Sequence, residues 1–329
     1  MINFEYSRVT SVKAAIDIIS KNPGSGFIAG GTNLVDLMKK GVMSPSRLID
    51  INQLPLKQIE DTDKGLHIGA LAINSEVAAD RLVQEKYPLL AMALKAGASA
   101  QLRNMATVGG NMMQRTRCGY FYDTAMPCNK RQPGSGCGAI GGYNRMHAIL
   151  GTSPQCIAVH PSDMCVALAA LDATVHIAGA KGERVIRFTD FHRLPGTTPQ
   201  FDNNLQKGEL ITGITIPSAP LYKHVRYLKI RDRASYAFAL VSVAAAFELK
   251  GSDKVIQSAR LAMGGVAHKP WRLTAAEKFL IGKKAGEDVF KQAAALAMKD
   301  ARSFGSNDFK LKMAPAAILQ ACVNATDIT

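Results

Sequence analysis

Residues 26–34 read Gly26-Phe27-Ile28-Ala29-Gly30-Gly31-Thr32-Asn33-Leu34. A short apolar run ends on a glycine pair, a hydroxyl and an amide, and then turns apolar again. The spacing predicts a strand, a tight turn and a helix beginning at Leu34 and running to Lys39. Phosphate binds well where backbone N–H groups point outward with no side chain in the way, and a helix N-terminus adds to the effect. Gly30 and Gly31 permit close approach and positive φ, while Thr32 and Asn33 add polar side chains. The stretch Ile28 to Leu34 is therefore a candidate phosphate cradle. A plain tight turn is the alternative that one Gly-Gly pair leaves open.

The flanks set this loop in a β/α rhythm. Residues 11 to 20 (SVKAAIDIIS) have the apolar spacing of a helix with one buried face, ended by Asn22-Pro23-Gly24, and Arg47 to Ile51 reads as a strand. Gly24-Ser25-Gly26-Phe27-Ile28-Ala29 spells the dinucleotide fingerprint, but that motif must follow a strand and open a helix. Here a helix and Pro23 precede it and a strand follows, so a Rossmann reading fails. Leu66 to Ala70 predicts a strand, Asn74 or Ser75 a helix cap, and Pro88 to Ala98 a helix. Ala106-Thr107-Val108-Gly109-Gly110-Asn111 then repeats the chemistry of the first loop. Two such loops weaken the plain-turn reading.

Four of the six cysteines follow: Cys118, Cys128, Cys137 and Cys156, with gaps of nine, eight and eighteen residues. The stretch is rich in glycine and proline and has little periodicity to about Gly142, the pattern of an ordered insertion held by something other than an apolar core. The N-terminus lacks the apolar core and cleavage site of a signal peptide, so thiolates gathered this way fit a metal or an iron–sulfur cluster better than disulfides. Structural zinc uses four cysteines as close pairs two to four residues apart, and no such pair occurs. Cys165, inside an apolar helix, and Cys322 read as buried small hydrophobes.

His147 to Gly151 reads as a strand. Ser162 reads as the cap of a helix over DMCVALAALDA; the same helix end could face a pyrophosphate or ribityl chain, with Asp163 accepting from a hydroxyl. Ala173–Ile177, Val185–Phe188 and Glu209–Pro217 read as strands. From about Tyr222 the style changes to a long strand with a charged face, two apolar stretches and two alanine-rich helices near Gly286–Ala301 and Pro315–Ala325. That is a separate α+β unit.

The chain has 329 residues and a formal charge of +14, enough for two domains or one subdivided domain. Its basic residues are spread out, the densest patch being Lys223 to Arg233, and no usual nucleic-acid motif appears. The longest apolar stretch, Tyr236 to Phe247, is shorter than the roughly 20 residues a bilayer requires. No membrane span is expected.

The set AGGTNL, ATVGGNMMQRTRC, HPSDM, KIRDRASYAFALVSVA and GGVAHKPWR, in that order over most of the chain, closely resembles the FAD-binding subunits of molybdenum-containing hydroxylases, the xanthine dehydrogenase family. In type it is most similar to the FAD subunit of bacterial periplasmic aldehyde oxidoreductases. The resemblance implies an α+β fold: a PCMH-type (vanillyl-alcohol-oxidase-like) FAD-binding domain of two α/β subdomains over residues 1–221, with an Fe–S insertion at about 112–160. A C-terminal α+β domain over 222–329, with a three-stranded antiparallel sheet and helices, would follow. It implies that FAD is held by Ile28, Ala29, Gly30, Gly31, Thr32, Asn33 and Leu34 and by Ala106, Thr107, Gly109, Gly110 and Asn111. Ser162, Asp163 and Lys229 match further contacts, and a residue packing on the flavin falls at Leu210 or Ile211.

A subset of that family carries the cysteine insertion and binds a 4Fe–4S cluster there, which assigns Cys118, Cys128, Cys137 and Cys156 as ligands; cubanes take four thiolates. The implied function is electron transfer within a heterotrimer. A 2Fe–2S subunit and a large molybdenum-cofactor subunit are the partners, and electrons leave this FAD for an external acceptor. No catalytic residue for substrate chemistry is expected on this chain. Location is expected to be periplasmic by co-export with a signal-bearing partner, with the cytoplasm as alternative. Two other function classes stay open: a basic scaffold or nucleic-acid module with a four-cysteine zinc site, and a free-standing flavin oxidase.

Overall fold

The computed structural model describes residues 1–218 and 223–328. The expected domain boundary at 221/222 lies outside the described residues.

Three sheets organise the chain. The first is a small parallel sheet in which Arg47–Asp50 lies between Glu5–Arg8 and Ser25–Ile28. Its strands are joined by helices: Val12–Lys21, capped by the Ser11 hydroxyl on the Ala14 N–H, and Leu34–Lys39, which begins where the glycine pair predicts. The second sheet is antiparallel and five-stranded, in the order Ile59–Thr62, Gly65–Gly69, Leu210–Pro217, Thr174–Gly179, Gly182–Arg187. Leu210–Pro217 leaves the end of this sheet beside the first glycine loop and so joins the two α/β layers.

The third sheet is antiparallel. Val241–Lys250 is flanked by His224–Ile230 and Val255–Gly264, and the two-residue strand Trp271–Arg272 extends its far edge. The C-terminal sheet is antiparallel as expected, but it has four strands, three long ones and a short edge strand, rather than three. Val241–Lys250 is apolar on both faces because both are covered. Val243, Ala245 and Phe247 pack into the core beneath helices Glu287–Ala297 and Phe309–Thr326. Ala244 and Ala246 face helix Asp163–Ala170 and belong to the N-terminal core. Alanine on that face lets the helix lie close, which ties the C-terminal sheet to the preceding unit.

Four local readings change. Asn74 does not cap: helix Asn74–Ala79 has Ile73 at its N-cap with no side-chain bond, and Asn74 is buried in the first turn. The second glycine turn is the single-turn helix Val108–Met112, capped by the Thr107 hydroxyl on the Gly110 N–H. His147–Gly151 is not a strand, since its amides go to loop carbonyls: Ala148 donates to Ile157, and Ile149 and Leu150 both donate to Val266. The last helix starts at Phe309 and carries Pro315 inside it. Lys310, fully buried, pins the first turn of this helix by donating to the carbonyls of His147 and Gly265.

Candidate functional site

The first glycine loop forms one wall of a cavity of about 440 Å³ between the parallel sheet, the second loop and segment 200–211. Residues 28–34 line it, with Thr107, Gly109 and Gly110 opposite and Leu210 and Ile211 at the strand end. The glycines explain the shape. A Cβ at Gly30 would collide with the backbone carbonyl of Met105, just before the second loop, so Gly30 lets the two loops meet backbone to backbone. Gly31 has φ +71° and turns the chain into the helix.

The two loops differ in where their N–H groups go. From Gly30 to Leu34, five consecutive backbone N–H groups donate to no acceptor among the described residues. The Asn33 side-chain Nδ2 is likewise buried without a partner, its Oδ1 accepting from the Arg115 N–H at 2.9 Å. Paired backbone donors are the rule; a run of free ones on a cavity wall is the arrangement that binds an anion. In the second loop, by contrast, Val108 and Gly109 donate to the carbonyls of Ala72 and Ala70, and Gly110 and Asn111 to Thr107. The second loop shapes the cavity; the first supplies the donors.

Ala106, Asn111, Ser162, Asp163 and Lys229 do not line this cavity. Four of them form two hydrogen-bonded pairs of their own. The Ser162 hydroxyl caps helix Asp163–Ala170 through the Cys165 N–H and donates to Asn111 Oδ1. Asp163 accepts from Lys229 Nζ at 2.8 Å and from the Tyr227 hydroxyl at 2.7 Å, and Lys229 also donates to the Ala96 carbonyl. Ser162 and Asp163 line a second cavity, of about 130 Å³, whose far wall includes Cys118 and His147. Cys118 also lines the cysteine cage, so its side chain stands between the two spaces.

All four insertion cysteines line one small enclosed cavity, and all are free thiols. Cys128 and Cys137 face each other across an isolated backbone bridge, and His147 Nε2 lies 3.1 Å from Cys118 Sγ. Burial pushes Cys118 up to about 12 and, against the pull of Lys130, Cys156 up to about 11. No three of the sulfurs lie within 4.8 Å of one another. A tetrahedral zinc with bonds of about 2.3 Å would draw four sulfurs to within about 4 Å. The sulfurs are not drawn together to that degree. Cys165 and Cys322 are fully buried as expected, though Cys165 lies beside His160 and His192. Burial is the main reason both histidines are shifted down, with the Asp202 carboxylate opposing it and Lys130 or Lys269 adding to it.

A parallel-plus-antiparallel scaffold whose open amide run lies on the wall of a 440 Å³ cavity is suited to a nucleotide's phosphates. Residues 2–219 match the family described as the FAD binding domain in molybdopterin dehydrogenase, and residues 226–323 match the CO dehydrogenase flavoprotein C-terminal domain. The chain is 50% identical to the aldehyde oxidoreductase FAD-binding subunit of Escherichia coli (strain K12), covering 94% of each. It is 34% identical to the glyceraldehyde dehydrogenase medium chain of Sulfolobus acidocaldarius, over 88% of this chain and 85% of that one. Among solved structures, a chain of quinoline 2-oxidoreductase from Pseudomonas putida 86 superposes with a TM-score of 0.76 at 26% identity, covering 99% and 98%. The chain belongs to the FAD-binding subunits of the molybdenum hydroxylases and is an oxidoreductase subunit of the xanthine dehydrogenase family. No helix among the described residues is long and apolar enough to cross a membrane.

Proposed function

We propose that this chain is the FAD- and 4Fe–4S-carrying electron-transfer subunit of a heterotrimeric molybdenum aldehyde oxidoreductase. The observation that carries the reading is the run of five free N–H groups on the wall of the 440 Å³ cavity, in a chain half identical to an aldehyde oxidoreductase FAD-binding subunit. Gly30 to Leu34 would hold the pyrophosphate, with Ile211 against the apolar part of the cofactor. Cys118, Cys128, Cys137 and Cys156 would hold the cluster. Bound FAD supplies acceptance of two electrons and their release singly or in pairs, and a cubane supplies one-electron transfer.

The chain's own residues position and insulate. Lys229 and Tyr227 neutralise and fix the buried Asp163 carboxylate, which joins the C-terminal sheet to the helix that Ser162 caps. His147 sets the orientation of Cys118, on the wall shared with the Ser162 cavity. Substrate oxidation belongs to a large molybdenum subunit, and electrons arrive through a 2Fe–2S subunit before passing to an external acceptor. Export with a signal-bearing partner, to the periplasm, goes with this reading.

Anaerobically purified protein is expected to be yellow-brown, with one flavin and about four irons per chain. A Cys128→Ser variant is expected to lose most of its iron while keeping its flavin, since Cys128 does not line the 440 Å³ cavity. Full iron in that variant would refute the ligand assignment, and colourless, iron-free wild type would refute the cluster.

A further inference from the structure

We propose that Arg115, supplied by the start of the cysteine insertion and aimed by a buried Asp202–Lys130 pair, is a phosphate-reading residue of the dinucleotide site. This rests on the FAD-binding reading and extends it to a residue outside both glycine loops.

The charge count carries the argument. Asp202 spends both carboxylate oxygens: Oδ2 accepts from Arg115 Nε at 2.7 Å and Oδ1 from Lys130 Nζ at 2.5 Å. Two cations share one carboxylate, so the triad keeps one positive charge. Burial by itself would raise the Asp202 carboxyl, but Lys130 and Arg115 outweigh it and hold the group well below the usual carboxylate range. His268, 3.9 Å from Asp202, is pushed down to about 4 by burial and by Lys130, and so adds no charge at neutral pH.

The surplus faces the cavity through Arg115. The Lys130 side chain is 1% exposed and also donates to the Pro199 carbonyl, whereas Arg115 keeps 19% exposure. Arg115 is the one cationic side chain lining the 440 Å³ cavity among the described residues. The other carboxylate on that wall, Glu209, is already paired with Arg184. Of the five guanidinium N–H groups, Nε–H goes to Asp202 and one on Nη2 to the Gln200 carbonyl. The remaining three have no acceptor among the described residues. The guanidinium lies 4.7 Å from the Phe121 ring centroid, which fixes its plane. Its own backbone N–H is bonded to Asn33, so the free donors of Arg115 are tethered to the free donors of the first loop. A preorganised, partly buried fork with unspent donors beside an open amide run suits a phosphate oxyanion.

The test uses the full chain resolved of its flavin and titrated with FAD at low and high potassium chloride. Arg115→Gln is expected to weaken FAD about ten- to a hundredfold at low salt, the value of one charged hydrogen-bonding contact. The variant should also lose much of the salt dependence shown by wild type, because the screened charge is gone. Arg115→Lys keeps the charge and the Asp202 pair without the fork, and is expected to fall between the two with the salt dependence retained. It carries the test should Arg115→Gln fold poorly. Wild-type affinity in Arg115→Gln would overturn the proposal. Weaker binding with the wild-type salt dependence intact would also overturn it, because that marks a merely structural role. If wild type itself binds no FAD, the flavin reading falls and takes the proposal with it; if wild type binds and Arg115→Gln binds equally, only the proposal falls.

Discussion

A chain carrying Gly30→Val is expected to purify without flavin. The obstacle is backbone, not side chain. A Cβ at position 30 would overlap the carbonyl oxygen and carbon of Met105, atoms held by the bond from the Met105 N–H to Leu102 and from the next residue's N–H to the same carbonyl. Neither loop can yield by a rotamer change, so they must part. The wall carrying the Gly30–Leu34 donors then moves off the cavity. An expected loss of more than a hundredfold in FAD affinity follows from misplacing several charge-assisted contacts at once. Gly41→Ala is the matched control. Gly41 also has positive φ, at +70°, but nothing lies within 4 Å of its Cβ position and it does not line the cavity. It should pay about 1–2 kcal/mol of backbone strain and keep its flavin. The flavin-to-protein absorbance ratio, read beside Tm, checks both; stoichiometric flavin in Gly30→Val would show that the cofactor lies elsewhere.

The first loop was legible because strand, glycine pair and helix are contiguous, and local rules suffice for contiguous elements. Helix Leu34–Lys39 falls where the sequence places it. The second loop was legible as a glycine motif but not in its role. Whether its amides are free depends on Ala70 and Ala72, 39 and 36 residues earlier, whose carbonyls take the N–H groups of Gly109 and Val108 respectively. Ser162 and Asp163 were readable at a helix start, and Lys229 entered only through the family resemblance. What could not be read is that Asp163 and Lys229 satisfy each other across 66 residues, so that their first duty is to join two layers.

Arg115 escaped for the same reason. Its partner Asp202 lies 87 residues on, and Lys130 lies 72 residues before that aspartate. The signal available was a basic residue placed directly after a glycine loop and before the first cysteine, in Gln114-Arg115-Thr116-Arg117-Cys118. His147–Gly151 misled because its short contiguous apolar run imitates a buried strand, while Val266 takes two of its amides at one carbonyl, which a ladder does not do. Pro315 misled by suggesting a helix start, when the buried Lys310 one turn earlier had already fixed it.

Acidification from pH 6.5 towards 4 is expected to destabilise the native chain steeply, through histidines that share the triad's neighbourhood. His192 is fully buried and pushed down to about 4 by burial, and it bonds through Nε2 to the Met112 carbonyl while Nδ1 has no partner. His268 is likewise pushed down to about 4, by burial and then by Lys130. His160, packed on His192 with ring centroids 4.3 Å apart, is shifted the same way. In the unfolded chain each titrates near 6.5. Between those values the unfolded chain binds protons that the native chain refuses, so unfolding free energy falls as pH falls. The effect is absent above pH 6.5, grows through the window and is complete below 4. Each of His192 and His268 contributes about 3 kcal/mol at the acid end, a large share of a typical net stability of about 5–15 kcal/mol. Asp202, whose carboxyl is held low, acts in the same direction but at lower pH, its contribution present above about pH 4 and lost as its native carboxylate finally protonates. Urea midpoints at pH 7, 5.5 and 4.5 measure the slope. His192→Asn, which can keep a donor towards Met112 without a titrating ring, should flatten it, though at some cost in packing at pH 7. A stability that stays level from pH 6.5 to 4.5 in wild type, or a slope unchanged in His192→Asn, would show that these rings accept protons without opening the fold.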